Sequence, residues 1–311
     1  MSQMSITAPR TGCAVVVGVD GSPGAAAALE WAADEAHHRG CELVIVHAIE
    51  YPDRHTVATE TTDVVERELG QHADRVLSWS LKVARERQPA LITRIRRVPA
   101  APVHSLVECS ASAQLLVLGR QGVHRGFDSA LGGISHHVAA YAWCPVVVVP
   151  CPPVPGAAGG VIAVGVEPGR GGCVVLDEAF ACAERRHARV LAVLAVPGEA
   201  DRGEGYRALA ATARTIAADH PAVPMNLHVE IGFPGDVLLN ASCHADLLML
   251  GINHLGDRRL SRLSWPAATL LARSQCPVEI VGWSGGRPPD APWTTEQTEE
   301  TWAPARLSAT K

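Results

Sequence analysis

The sequence predicts an α/β protein built twice over, with two parallel sheets in tandem, each covered by helices on both faces. Two observations carry this reading. Strand-like and helix-like segments alternate from residue 13 onward, and the second half of the chain repeats the first. Such alternation puts parallel strands between crossover helices. At 311 residues the chain also has the length of about two domains.

In the first half, residues 13–20 (CAVVVGVD) are a Val-rich run ending in a turn signal, as a buried parallel strand requires. Residues 25–39 are Ala-rich and helical. Residues 42–48 (ELVIVHA) read as a second strand, 62–86 carry apolar positions at helical spacing, and 91–98 read as a third strand. A helix over 103–112, a strand over 114–118, a Gly-rich loop, a helix over 134–141 and a last strand over 145–149 complete the unit.

The second half echoes it. VIAVGVE at 161–167 matches VVVGVD at 15–20, and LAVLA at 191–195 matches VIVHA at 44–48. GFP at 232–234 matches RVP at 97–99, residues 247–251 match 115–119, and Cys276-Pro-Val matches Cys144-Pro-Val. Asp20 and Glu167 lie 147 residues apart, Pro99 and Pro234 lie 135 apart, and both Gly119–Gly251 and Cys144–Cys276 lie 132 apart. The second copy is therefore shortened mainly between its second and third strands, and its last loop, helix and strand align without a gap. The expected domains are residues 12–150 and 161–282, joined by a Pro/Gly linker at 151–160. Residues 1–11 and the tail, 283–311, are expected to be disordered, with Trp283, Trp293 and Trp302 standing out in the tail.

Composition narrows the function. With 47% hydrophobic, 19% charged and 4% aromatic residues, this is a globular chain whose core rests on Val, Leu, Ile and Ala. A net charge of -5 argues against a duplex nucleic-acid partner held by phosphate neutralisation. No segment is apolar enough to span a bilayer and the start lacks a signal-peptide layout, so the cytoplasm is the expected location. Nine cysteines without a Cys-x-x-Cys pair predict neither a disulfide framework nor a zinc site. The adjacent pairs His37-His38 and His136-His137 diverge on a helix, so no metal set is expected. The apolar strand at 146–149 would be an exposed edge, which needs a cover. Residues 278–281 are its natural partner, giving an intramolecular pseudo-dimer in which Glu279 would deter further edge pairing; a homodimer stays open.

The chemistry concentrates after the fourth strand. Gly119, Gly122 and Gly132 follow a Gly-x2-Gly-x9-Gly spacing that leaves a strand and opens a helix at Gly133, Ile134 and Ser135. Glycines bring backbone N–H groups close to a polyphosphate, and a helix N-terminus adds unpaired donors and the positive end of its dipole. Glycine spacing alone is weak evidence. No nucleophile–base pair accompanies it, so a dedicated enzyme is not expected, and slow hydrolysis of a bound polyphosphate stays open.

VGVDGS at 17–22, VIVHA at 44–48, the glycine pattern and CPVVVVP at 144–150 occur together. In this combination the chain resembles the universal stress protein family in its tandem form, over residues 12–282. The resemblance implies two adenine-nucleotide α-hydrolase-like (Rossmann-like) domains, each a five-stranded parallel sheet of order 3-2-1-4-5. In one branch of the family it also implies ATP binding in a stress response. With that order, strands 1 and 4 are neighbours whose outgoing connections diverge, leaving a crevice at their carboxyl ends. By resemblance, the Asp20 carboxylate contacts the nucleotide, backbone near Ala48 faces the adenine, and Gly119, Gly122, Gly132, Gly133 and Ile134 wrap ribose and phosphates. The implied ligand is ATP, with or without magnesium, AMP and cyclic AMP being open, and the implied partner is a regulatory protein.

One position departs from the pattern. Gly133 stands where the family usually has Ser or Thr, and Ser135 lies two residues on. One lost hydrogen bond to a charged group is worth about 1.5–3 kcal/mol. Arg120 and Arg125 are either phosphate partners or solvated, and Asp20 is either a ligand or a cap. In the second copy, His254 replaces Gly122, Ser264 replaces Gly132, Trp265 replaces Gly133, Pro266 replaces Ile134 and Glu167 replaces Asp20. Trp265 is expected to fill that crevice, Arg258, Arg259 and Arg262 to be solvated or to meet some anion, and this half to be structural or regulatory. The alternative for the whole protein is a ligand-free scaffold in which both crevices are relics.

Overall fold

Valine, isoleucine and leucine runs supply the strands, and their alternate residues enter different helical layers. In β1 (Ala14–Gly18), Val16 packs into one layer while Val15 and Val17 pack into the other. The computed structural model describes residues 13–51, 59–122, 133–152, 160–167, 169–253, 263–283 and 299–302. The first half continues with α1 (Pro23–Arg39), β2 (Glu42–Ala48), α2 (Thr59–Arg87), β3 (Thr93–Val98), α3 (Pro102–Ser110), β4 (Leu115–Gly119), α4 (Gly133–Tyr141) and β5 (Val146–Val149). The second half is β6 (Val161–Gly165), α5 (Arg170–Arg186), β7 (Arg189–Val196), α6 (Glu199–Ala217), β8 (Met225–Ile231), α7 (Pro234–Ser242), β9 (Leu247–Asn253), α8 (Trp265–Arg273) and β10 (Val278–Trp283). A last strand, β11 (Glu299–Trp302), comes from the tail.

The strands form one sheet in the order β11-β3-β2-β1-β4-β5-β10-β9-β6-β7-β8. Within each half all neighbours are parallel. The halves meet antiparallel, with Val148 opposite Val278, Val147 opposite Glu279 and Val146 opposite Ile280. Val147 and Glu279 are 132 residues apart, the offset of the duplicated strands, so a local two-fold axis passes between two equivalent residues. This is the intramolecular pseudo-dimer expected from the apolar edge.

One core cluster runs unbroken through both halves beneath α3, α4, α7 and α8. On the other face the core is split, with one cluster under α1 and α2 and another under α5 and α6. No helix among the described residues is long and apolar enough to cross a membrane.

Three expectations need correcting. Glu279 guards no edge, because β10 is hydrogen-bonded on both sides, to β5 and β9, and its side chain is fully buried beneath α1 and α5. The tail is not structureless throughout, since β11 pairs antiparallel with β3; the other tail residues after Trp283, and residues 1–12 and 153–159, lie outside the described set. Cys13 and Cys41 pair as a disulfide, with Cα atoms 5.1 Å apart. Register causes this. Ala14 faces Glu42 in the β1–β2 ladder, which brings the residues just before them side by side.

Candidate functional site

The chain leaves β1 and β4 side by side, since the two strands pair from Val15–Leu115 to Val17–Val117. After β1, Gly21 takes a left-handed φ of 81°, which turns the chain into α1. Ser22 then caps the helix, its Oγ accepting from the Ala25 N–H at 3.1 Å. The Ser22 N–H donates to Asp20 Oδ1 at 2.9 Å, and Asp20 Oδ2 lies against Gly122 in the loop after β4. A Cβ on Gly122 would collide with that oxygen.

Glycine is needed a second time where backbone meets backbone. A Cβ on Gly119 would stand 2.5 Å from the Gly24 backbone, and a Cβ on Gly24 would run into the Gln121 carbonyl. Ser22 Oγ reaches that same carbonyl at 3.5 Å, from 99 residues away in sequence. Asp20, Gly119 and Gly122 thus converge, as the sequence reading placed them. Helices α1 and α4 both lack an acidic residue in the first turn, so the positive ends of their dipoles are not offset by their own side chains.

The remaining site residues divide. Ala48 is half-buried at the end of β2. Gly133 and Ile134 are exposed at the start of α4, with open space where a Gly133 side chain would be. Ser135 is buried, and its hydroxyl donates to the Gly119 carbonyl at 2.7 Å, tying α4 to the end of β4. That proton is committed, so Ser135 does not replace the donor missing at Gly133. Gly132 and Arg125 lie outside the described residues.

Arg120 turns away from the crevice. Its N–H holds Val149 at 2.8 Å, and its guanidinium donates to the Ser274 carbonyl just past the end of α8 in the other half. The reason is positional: the residue after the end of β4 lies beside β5, next to the seam with the second copy. Arg120 thus makes an inter-half contact, where the sequence left open a phosphate partner or a solvated side chain.

His47 is a residue the sequence reading passed over. It is the one polar side chain in the VIVHA run, and that was the available signal. The ring is buried, with Nδ1 2.7 Å from the Val19 carbonyl, and the His72 ring centroid is 6.1 Å away. Burial holds the imidazole below its ordinary value, the Val19 contact opposing this and His72 adding to it. The neutral ring, with its proton on Nδ1, donates to Val19 and so fixes the residue that precedes Asp20.

The second crevice is built differently. Here β9 runs on through Ile252 and Asn253, paired with Gly282 and Trp283, where β4 stops at Gly119. Gly251 approaches Gly171 only to 3.4 Å, measured as for Gly119 and Gly24. Glu167 is exposed, and the Gly169 cap of α5 offers no side-chain hydrogen bond. Trp265 does not fill the crevice as expected. It is 68% exposed and its ring edge leans towards Gly235 at the start of α7, because α8 begins at Trp265 and turns that first side chain outward. Residues 254–262, with His254, Arg258, Arg259 and Arg262, lie outside the described set.

This difference predicts unequal alanine substitutions. Gly24→Ala is expected to cost about 1–3 kcal/mol, because its methyl group must displace the Gln121 carbonyl. Gly171→Ala, at the equivalent helix position with nothing within 4 Å, is expected to be neutral or to stabilise by about 0.5–1 kcal/mol. Urea midpoints of the two variants check both; equal losses would contradict the closer packing of the first crevice.

Comparison with known proteins agrees with the architecture. Residues 14–150 match the model of the universal stress protein family. A universal stress protein of Mycobacterium tuberculosis is 28% identical over 296 residues, covering 88% of this chain and 98% of its own length. Another from the same organism is 33% identical over 140 residues, a match spanning 43% of this chain and 46% of that relative. In fold, the crystal structure of a universal stress protein from Archaeoglobus fulgidus superposes with a TM-score of 0.68 at 17% identity, covering 86% of this chain and 98% of its own. The first half of the chain matches the universal stress protein family, and nearly the whole chain is similar to a universal stress protein of about the same extent.

Proposed function

We propose that the first half binds an adenine nucleotide, ATP in the first instance, and that the protein is a regulatory module reporting occupancy of that one site to a partner protein in the cytoplasm. The observation that carries the reading is the Asp20–Gly122 contact. A carboxylate anchored by the Ser22 N–H faces Gly122, where a side chain would collide, and the starts of α1 and α4 meet Gln121 and Gly119 through Ser22 and Ser135. Such a cradle suits a ribose and polyphosphate approached by backbone N–H groups. Asp20 would hold the sugar hydroxyls, backbone at Ala48 would face the base, and Gly119, Gly122, Gly132, Gly133 and Ile134 would surround ribose and phosphates. Magnesium, if it accompanies ATP, would bind with the phosphates. We assign the site no catalytic role.

Calorimetry of the full chain with ATP is expected to show saturable binding at one site. Asp20→Ala should weaken it about 10–100-fold, the equivalent of one hydrogen bond to a charged group. Absence of heat at millimolar ATP would refute the proposal.

A second reading, a ligand-free scaffold, is favoured by one observation. Ser135 is committed to Gly119, so α4 offers no hydroxyl proton for a phosphate at its start. A ligand that binds only the native state raises stability. A melting temperature unchanged by ATP would therefore select the scaffold.

A further inference from the structure

Charged side chains fill the seam between the two halves. Helices α1 and α5 lie side by side over β5 and β10, with Glu35 and Arg39 from α1, Glu178, Arg185 and Arg186 from α5, and Glu279 from β10. The duplication explains their placement. Arg39 and Arg186 are 147 residues apart, the offset relating the two first strands, so they are equivalent residues on either side of the local axis. Glu279 has Val147 as its equivalent, and Val147 is also its direct cross-strand neighbour. A single carboxylate therefore stands at the axis.

The equivalent arginines have unequal partners. Arg39 reaches Glu35 at 2.5 Å, Glu178 at 3.5 Å and Glu279 at 3.8 Å. Arg186 pairs with Glu35 and lies 5.0 Å from the Trp31 ring centroid. Glu279 itself is 0% exposed, and neither carboxylate oxygen accepts a hydrogen bond from the described residues. An anion in that setting bears a desolvation penalty that Arg39, 3.8 Å away and not hydrogen-bonded to it, offsets only in part, whereas the neutral acid does not.

We propose that Glu279 is a proton-operated clasp between the two halves: as the neutral acid it lets the β5–β10 seam close beneath α1 and α5, and as the anion it loosens that seam. Burial pushes its carboxyl up to about 7, Arg39 and Arg186 opposing this and Glu178 and Glu35 adding to it. The other groups facing the seam do not share this behaviour. Burial alone would raise the Glu35 carboxyl, but Arg186 and Arg39 outweigh it and hold it low. Cys144 and Cys182 are pushed up to about 12, chiefly by burial, and stay neutral. His38, beside Glu35 and Arg186, is held below its ordinary value by burial and by Arg186. Because the folded value of Glu279 lies above the ordinary 4.5, its stabilisation is full below that pH and is lost as pH rises through about 7.

The test compares the full chain with Glu279→Gln, which keeps the shape and removes the titration. Between about pH 5 and pH 8, the unfolding constant of the wild type should rise on the order of 100-fold relative to that of the variant. Taking the difference cancels the contribution of His38. Parallel profiles would overturn the proposal. Should Glu279→Gln fail to fold, infrared spectra of the wild type decide: a buried protonated carboxyl band at pH 6 that disappears by pH 8 supports the clasp, and its absence at pH 6 overturns it. The outcome does not depend on whether the first crevice binds a nucleotide.

Discussion

Glu35→Ala is expected to destabilise the folded chain by about 3–5 kcal/mol, because it leaves buried arginines without their shared carboxylate. Glu35 is 1% exposed and joins the halves, bonding Arg39 on its own helix and Arg186 on α5. The loss should fall towards the lower end, since Arg39 keeps Glu178 at 3.5 Å. Guanidinium unfolding at neutral pH measures it; a loss under about 1 kcal/mol, the ordinary size for an exposed pair, would show that the seam is open to water. The acid limb carries the opposite sign to Glu279. With its carboxyl held low by Arg186 and Arg39 against the cost of burial, Glu35 contributes stability above the ordinary carboxylate value, and that contribution is lost as pH falls through its folded value. Glu35→Ala should flatten the acid side of the stability profile, as Glu279→Gln flattens the neutral side.

The second large effect is expected at Phe180. Its side chain is 0% exposed in the core under α5 and α6, stacked on His220 with ring centroids 5.7 Å apart. Phe180→Ala should cost about 3–5 kcal/mol, from lost transfer energy and the cavity left behind. The equivalent position in the first half, 147 residues earlier, is Ala33, also fully buried, so that half has no aromatic to lose there. The substitution thus weakens one half selectively. One sheet and one unbroken core layer join the halves, so calorimetry should record a single transition at lower temperature. A separate early transition of the second half would show that the β5–β10 seam does not couple them.

Much of this was legible in the sequence. Valine-rich runs, Ala-rich helices and the repeat offsets determined two α/β units, because periodicity and duplication are local or self-referring signals. The same offsets placed β5 against β10, since an apolar edge strand demands a cover and only its own duplicate offered one. Asp20, Gly119 and Gly122 could be named because turn and glycine chemistry is encoded residue by residue. Side-chain direction was not. Arg120 reads as a phosphate partner or a solvated charge in a glycine loop, yet its guanidinium holds the Ser274 carbonyl of the other half. Ser135 reads as a spare hydroxyl, yet it closes on Gly119.

The sequence by itself therefore determined the duplicated architecture, the pairing of the two last strands and the convergence of two distant motifs. Only the tertiary structure decided which partners the polar groups take. Register brings Cys13 to Cys41, and a segment of the tail pairs with β3 as β11. Glu279 shows the physical reason most directly. In sequence it is a charge on an edge strand, where water would solvate it. Once β5 covers that strand and α1 and α5 close over it, the same carboxyl stands dry at the two-fold axis, where desolvation governs its charge.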